Sequence, residues 1–75
     1  MATLKVRTVE PCNELWDHNI RRIFQGVHGV KKVNTMCAMN SAYINFDDTK
    51  ITTDEIIMMF ELEGYTLDLE PLLIS

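Results

Sequence analysis

Long apolar runs, a surplus of basic residues and more than a pair of cysteines are all missing from this sequence. Its 75 residues carry a formal net charge of −4 and include two Cys, two Pro and three Gly, with 47% hydrophobic residues. That composition excludes a disordered chain. No apolar segment approaches the roughly 20 residues that cross a bilayer, and no signal-peptide core is visible. We therefore expect one cytoplasmic domain over 1–75, with a core over about 3–70, an apolar tail over 71–75 and no membrane insertion.

Nucleic-acid binding and catalysis both lack the residues they need. The only basic doublets are Arg21-Arg22 and Lys31-Lys32, and neither is interleaved with aromatic residues, whereas RNA-binding sheets combine basic and stacking side chains. No Ser/His/Asp set, paired carboxylates or phosphate-binding glycine loop can be assembled. We expect no nucleic-acid partner, no catalytic residue and no enzyme.

What the sequence does contain is the same pattern twice: a strand, an amphipathic helix and a glycine. Gly29-Val30 and Gly64-Tyr65 stand 35 residues apart, and each follows apolar residues at helical spacing. Both pairs are expected to be structural. The pattern predicts an α+β fold, a ferredoxin-like βαββαβ sandwich with two helices on one face of a four-stranded antiparallel sheet, and with strands one and three in its middle.

The first half gives these boundaries. Alternation predicts a strand over 3–9, which Pro11 ends. Asn13 is expected to cap a helix that Gly29 terminates after an irregular turn at Val27-His28. The apolar stripe of this helix comprises Trp16, Ile20, Ile23, Phe24 and Val27.

The second half begins with a hairpin. We predict strands over 30–39 and 42–46 with a tight turn at Asn40-Ser41, which puts Cys37 on the inward face of the first strand. Thr52 and Glu55 form a predicted capping box for the second helix, which Gly64 ends. A fourth strand is expected over 65–70, with Pro71 at its end on a sheet edge.

The order of these landmarks resembles the heavy-metal-associated domain of copper chaperones, mercury-binding proteins and metal-ATPase N-terminal modules. The resemblance runs without a gap from Ile20 to Leu67. It rests on the two glycine pairs, on Val33-x-Thr35-x-Cys37 and on Ala42-x-Ile44-x-Phe46-Asp47. It implies a small soft-metal-handling protein, chaperone-like, with a metal-transport protein as partner.

The resemblance also implies a metal motif, Met-x-Cys-x-x-Cys, in the loop between strand one and helix one. Alignment on Cys12 places Leu15 at the second cysteine, and alignment on Gly29 places Asn13 and Trp16 at the two cysteines. The motif is therefore incomplete in either register. Cys12 is the one expected ligand, for Cu(I) or another soft ion, and two chains that meet at this loop in a homodimer would supply two thiolates.

The two cysteines have a second interpretation. A disulfide between Cys12 and Cys37 is possible in principle, but two cysteines in a chain without secretion signals are more often reduced thiols. Cys37 is expected to be a small buried apolar residue.

A metal-free interaction module on the same fold is the alternative function. Its expected contact residues lie outside the stripe of helix two and in the C-terminal tail, and exposed apolar groups of this kind mark partner sites when they are contiguous. They are Ile57, Met58, Leu62, Leu72, Leu73 and Ile74. The other possibility for the tail is that it folds back over the core.

Trp16 carries a separate prediction. An indole has an N–H donor and no lone pair for a metal, so Trp16 cannot replace a thiolate. We expect it to fill the end of the sandwich by apolar packing, over the ligand loop and near Tyr65.

Overall fold

The computed structural model describes residues 1–68 and 72–74. The chain forms a βαββαβ sandwich, in which a four-stranded antiparallel sheet has the order β2-β3-β1-β4. This confirms the predicted fold class and the central position of β1 and β3. The elements are β1 (Ala2–Arg7), α1 (Glu14–Phe24), β2 (Val30–Met36), β3 (Ser41–Phe46), α2 (Thr53–Leu62) and β4 (Leu72–Ile74).

Strand β1 lies in the middle of the sheet, between β3 and β4, and its inward side chains are apolar. Leu4 and Val6 are buried, and Leu4 lies opposite Ile44 of β3. On the outer face the Lys5 ammonium sits 5.9 Å from the centre of the Tyr43 ring, a cation–π contact. The alternation of burial along β1 therefore separates an apolar core from an outer polar face.

Helix α1 begins as predicted and ends early. The Asn13 side chain accepts a hydrogen bond from the Trp16 backbone N–H, which caps the first turn. The helix then stops at Phe24, with Gln25 as its C-cap, so the predicted end at Gly29 is wrong. A second glycine explains the difference, because Gly26 takes φ +75° directly after the cap and turns the chain.

Helix α2 has both predicted ends. Thr52 and Glu55 form the reciprocal capping box. At the C-terminus Gly64 takes φ +90°, and the Tyr65 N–H donates to the Phe60 carbonyl in a Schellman-type arrangement. The Phe60 ring packs edge-to-face on Phe24 of α1 and on Tyr65, with ring centres 5.2 and 6.4 Å apart. These aromatic contacts join the two helices above the sheet.

The connection from β2 to β3 is not the predicted tight hairpin. β2 ends at Met36, and Cys37–Met39 form a short 3-10 helix instead of continuing the strand. Asn40 follows in the left-handed region with φ 54°, a conformation that asparagine tolerates better than most residues. Cys37 is therefore not on an inward strand face, and its side chain is exposed.

The fourth strand is not where the alternation placed it. Leu72–Ile74 pair with β1, so the apolar segment predicted to lie beyond the fourth strand is itself β4. Leu67 makes one isolated bridge to Thr8. Of the strand predicted over 65–70, Leu69 and Glu70 lie outside the described residues, as does Pro71 at its expected end. Within the described part of the chain, none of the helices combines the length and apolar character that a membrane crossing requires.

Candidate functional site

Three connections meet at the end of the sandwich where β1 finishes and β3 begins. They are residues 8–13, 37–40 and 63–68, which we call the cysteine end. The Val9 N–H donates to the Thr66 carbonyl at 2.9 Å, and the Thr66 N–H donates to Glu10 Oε1 at the same distance. The metal-motif loop of the resembling family corresponds to residues 8–13, so this end is where a metal site is expected.

Asn40 organises the cysteine end. Its side-chain amide donates to the Thr8 carbonyl at 2.6 Å and also to the Glu10 carbonyl. Its side-chain oxygen accepts from the Cys12 N–H at 2.8 Å, and its own N–H donates to the Cys37 carbonyl at 3.0 Å. Sequence reasoning gave Asn40 only a turn role, because its side-chain partners Thr8, Glu10 and Cys12 are about thirty residues away in the chain.

The two cysteines are joined in a disulfide, so the expectation of reduced thiols is wrong for this structure. Their Cα atoms are 5.4 Å apart, and 25 residues separate them in sequence. Cys12 is half-buried against the core and Cys37 is exposed. The early end of β2 accounts for the pairing, since the turn of 3-10 helix brings Cys37 to the metal-motif loop.

Trp16 is buried beside this network, with 3% of its surface exposed. Its indole N–H donates to Thr8 Oγ1 at 2.8 Å, and Thr8 is itself buried. The aromatic partner of Tyr65 is Phe60 of α2. The indole therefore joins the apolar core to the polar contacts around Asn40.

The positions that the family motif would occupy do not form a ligand pair. Leu15 is 66% exposed and offers no donor atom. Asn13 uses its side-chain oxygen to cap α1, and the indole of Trp16 is a donor only. No cluster of three or more His, Cys, Asp or Glu side chains suited to a metal occurs among residues 1–68 and 72–74. Soft-metal ligation at this end therefore depends on the cysteines.

The predicted interaction residues fall on two separate surfaces. Met58 and Leu62 of α2 are 56% and 78% exposed beside a cavity of about 410 Å³, whereas Ile57 packs partly into the core. Leu72 lies opposite Lys5 on the outer face of the sheet and lines a different cavity of about 550 Å³. Leu73 and Ile74 are 52% and 43% exposed on the edge strand. The six residues thus do not form one patch.

A polar contact between α1 and β2 was missed by sequence reasoning. Asp17 Oδ1 accepts from the Thr35 hydroxyl, and Arg21 lies 3.3 Å from Asp17 and 3.2 Å from the Val33 carbonyl. The Thr35 hydrogen bond, followed by the Arg21 charge, lowers the pKa of Asp17. This contact fixes the helix on the edge strand, away from the cysteines.

Comparison with solved structures shows the fold. The copper-binding domain of HMA7, a P-type ATPase, superposes with a TM-score of 0.79 at 19% identity, over 100% of this chain and 96% of that one. The fold is that of the heavy-metal-associated domain. Oxidized MerP from Ralstonia metallidurans CH34 gives 0.76 at 19% identity, over 92% of this chain and 100% of that one. A chain of the Atx1–Cu(I)–Ccc2a complex gives 0.72 at 16% identity, over 99% and 94%.

The fold likeness was therefore predictable from the landmark order. No family model matches the sequence, and no curated protein matches it significantly. At identities of 16–19% the superpositions establish the architecture alone.

Proposed function

We propose that this domain handles a soft metal ion at its cysteine end, by binding and without catalysis. The observation that carries the proposal is the place of Cys12, in the β1–α1 loop directly before the capping residue Asn13 of α1. Partial positive charge at a helix N-terminus favours a thiolate there. Thiolate sulfur in turn favours soft ions such as Cu(I).

The solved structures of the same fold support the metal as the cargo. Two are described with copper or Cu(I), one as part of a P-type ATPase and one as a complex of two proteins. We infer that this chain likewise meets a metal-transport protein, or a second copy of itself, at the cysteine end. The expected cytoplasmic location belongs to the proposal, because thiols there are kept reduced.

Titration with Cu(I) against a chromophoric chelator, under a reductant, tests this function. Wild-type protein should take the ion from the chelator, and a Cys12→Ser variant should take none. Equal and weak competition by both proteins would exclude metal binding through this loop. Circular dichroism of the variant provides the control for folding.

The alternative, a metal-free interaction module, is favoured by one surface. Met58 and Leu62 are exposed on α2 beside the cavity of about 410 Å³, which Val27 and Met59 also line. An exposed apolar surface beside a cavity is suited to docking. Sedimentation of the wild type and of a Leu62→Ser variant over a range of concentrations tests this alternative. Self-association of the wild type that the variant loses would support it. If both proteins are monomeric, a second copy of the chain is not the partner.

A further inference from the structure

We propose that Cys12 and Cys37, once their disulfide is reduced, form a two-thiolate site for a single monovalent soft metal ion such as Cu(I). This inference rests on the proposed metal-handling function and assigns its ligands. It differs from the motif of the resembling family, because the second sulfur comes from the β2–β3 connection and not from the next turn of the same loop.

Hydrogen bonds of Asn40 connect the backbone segments of both cysteines independently of the disulfide. The side-chain oxygen of Asn40 accepts a hydrogen bond from the Cys12 N–H at 2.8 Å, and the Asn40 backbone N–H donates to the Cys37 carbonyl at 3.0 Å. The same side chain binds the Thr8 carbonyl, so it is fixed to β1 as well. Opening the disulfide breaks none of these bonds. The two sulfurs should therefore stay adjacent after reduction, with Cα atoms near the present 5.4 Å.

The chemistry of the conversion is balanced. A dithiol reductant gives two electrons and two protons to the Cys12–Cys37 disulfide, which becomes two thiols while the reductant becomes a disulfide. Binding of Cu(I) then displaces one proton from each thiol and leaves a complex with a net charge of −1. The disulfide form has no thiolate to offer, so oxidation excludes the metal.

The donor count selects the ion. Zn(II) sites in proteins are almost always four-coordinate, and the part of the chain that the structure describes offers no cluster of three or more His, Cys, Asp or Glu ligands. Two thiolates satisfy a two-coordinate ion of the Cu(I) kind. Cys37 is exposed and Cys12 is half-buried, so a donor protein can reach the pair from the side of Cys37.

Chelator competition with four proteins tests the ligand pair: the wild type, Cys12→Ser, Cys37→Ser and Met39→Leu. Met39 is the matched control because it lies two residues after Cys37, carries a thioether sulfur and is 48% exposed. Under a reductant we expect one Cu(I) per wild-type monomer, unchanged affinity in Met39→Leu, and a loss beyond about 100-fold in each serine variant, since loss of a supporting outer partner alone costs about 10–100-fold. Zn(II) should compete poorly.

The wild type provides a second test that needs no substitution. Oxidised protein should bind no Cu(I), and the same sample should bind one ion per monomer after reduction, with the mass of the complex read by native mass spectrometry. Binding that Cys12→Ser abolishes and Cys37→Ser retains would overturn the two-thiolate site and leave the proposed function standing. A dimer bridged by one ion would overturn the site in the same way. No binding by reduced wild type would overturn both.

Discussion

The two ends of the sandwich hold their loops in different ways. Beyond the last residues of β3, at residues 25–29 and 47–55, most side-chain contacts join near neighbours: the Thr49 N–H donates to Asp47, and Glu55 accepts from Thr52. At the cysteine end local contacts are joined by others whose partners are 28 to 56 residues apart, such as the Cys12–Asn40 and Glu10–Thr66 hydrogen bonds. The glycine end, as we call the first, consists mainly of local turns, with a backbone bond from the Asp47 N–H to the Gly29 carbonyl between its two loops. The cysteine end depends more on contacts between segments that are far apart in the chain.

Trp16→Ala should have the largest effect and should act at the cysteine end. The substitution empties a buried indole site and removes one of the two donors to Thr8 Oγ1, the other being the Asn40 amide, so we expect the free energy of unfolding to fall by about 3–5 kcal/mol. Urea denaturation measures it. Trp16→Phe is the control that keeps a ring and removes the N–H, and it should cost clearly less. A loss below about 1 kcal/mol for the alanine variant is the size of a surface substitution and would refute the buried role.

Asn40 substitutions come next. Asn40→Gly keeps the left-handed conformation and removes the hydrogen bonds to residues 8–12, for an expected loss of about 2–4 kcal/mol at roughly 1 kcal/mol for each bond. Asn40→Ala should cost about 1 kcal/mol more, because alanine is strained at φ 54°. The comparison in oxidised protein isolates the network from the disulfide. A glycine variant as stable as wild type would show that the long-range bonds contribute nothing.

A matched pair of glycines compares the two ends directly. Gly29 at the glycine end and Gly64 at the cysteine end have φ +97° and +90°, so alanine should cost about 1 kcal/mol of backbone strain at each. At Gly29 the new Cβ would also lie 3.0 Å from side-chain carbons of Ile51 and Lys50, while Gly64 is open. Thermal unfolding should therefore show a larger loss for Gly29→Ala, by about 1 kcal/mol or more. Equal losses would mean that the chain around Gly29 can yield.

Asp47 should give the smallest effect, visible only with pH. Hydrogen bonds from the Thr49 hydroxyl and N–H lower the pKa of the Asp47 carboxyl. A lowered pKa in the folded state adds stability at every pH above the unfolded-state pKa of about 3.9. This stability is lost as the pH falls from that value through the lowered pKa of the folded state. Asp47→Asn should flatten the acid side of the stability profile while leaving the cysteine end unchanged. An unaltered profile would show that the turn carries no such linkage.

The sequence separation of each contact, at either end, explains much of what could be predicted from the sequence. The Asn13 cap, the Thr52–Glu55 box and the Gly64 terminus each depend on residues within a few positions, and all three were predicted. The end of α1 was missed because Gly26 precedes Gly29 and stops the helix first. The position of β4 was missed because pairing with β1 outweighs the weak alternation over 65–70.

The candidate site was less predictable than the fold. Cys12 could be placed in the metal-motif loop, because that loop follows from the order of β1 and α1. Its pairing with Cys37 could not, since alternation continued β2 through Met39 and gave no sign of the 3-10 helix. The role of Asn40 as a link between both cysteines also depends on contacts that no local pattern encodes.

The central claim is that Asn40 keeps the two cysteines together whether or not they are bonded to each other. Amide hydrogen exchange followed by NMR, on oxidised and then reduced protein, tests it most directly. We predict that after reduction the Cys12 and Asn40 amides stay protected relative to an unfolded chain, together with those of Leu4 and Ile44 in the sheet. Exchange of the Cys12 and Asn40 amides at the unfolded rate, while Leu4 and Ile44 stay protected, would contradict the account.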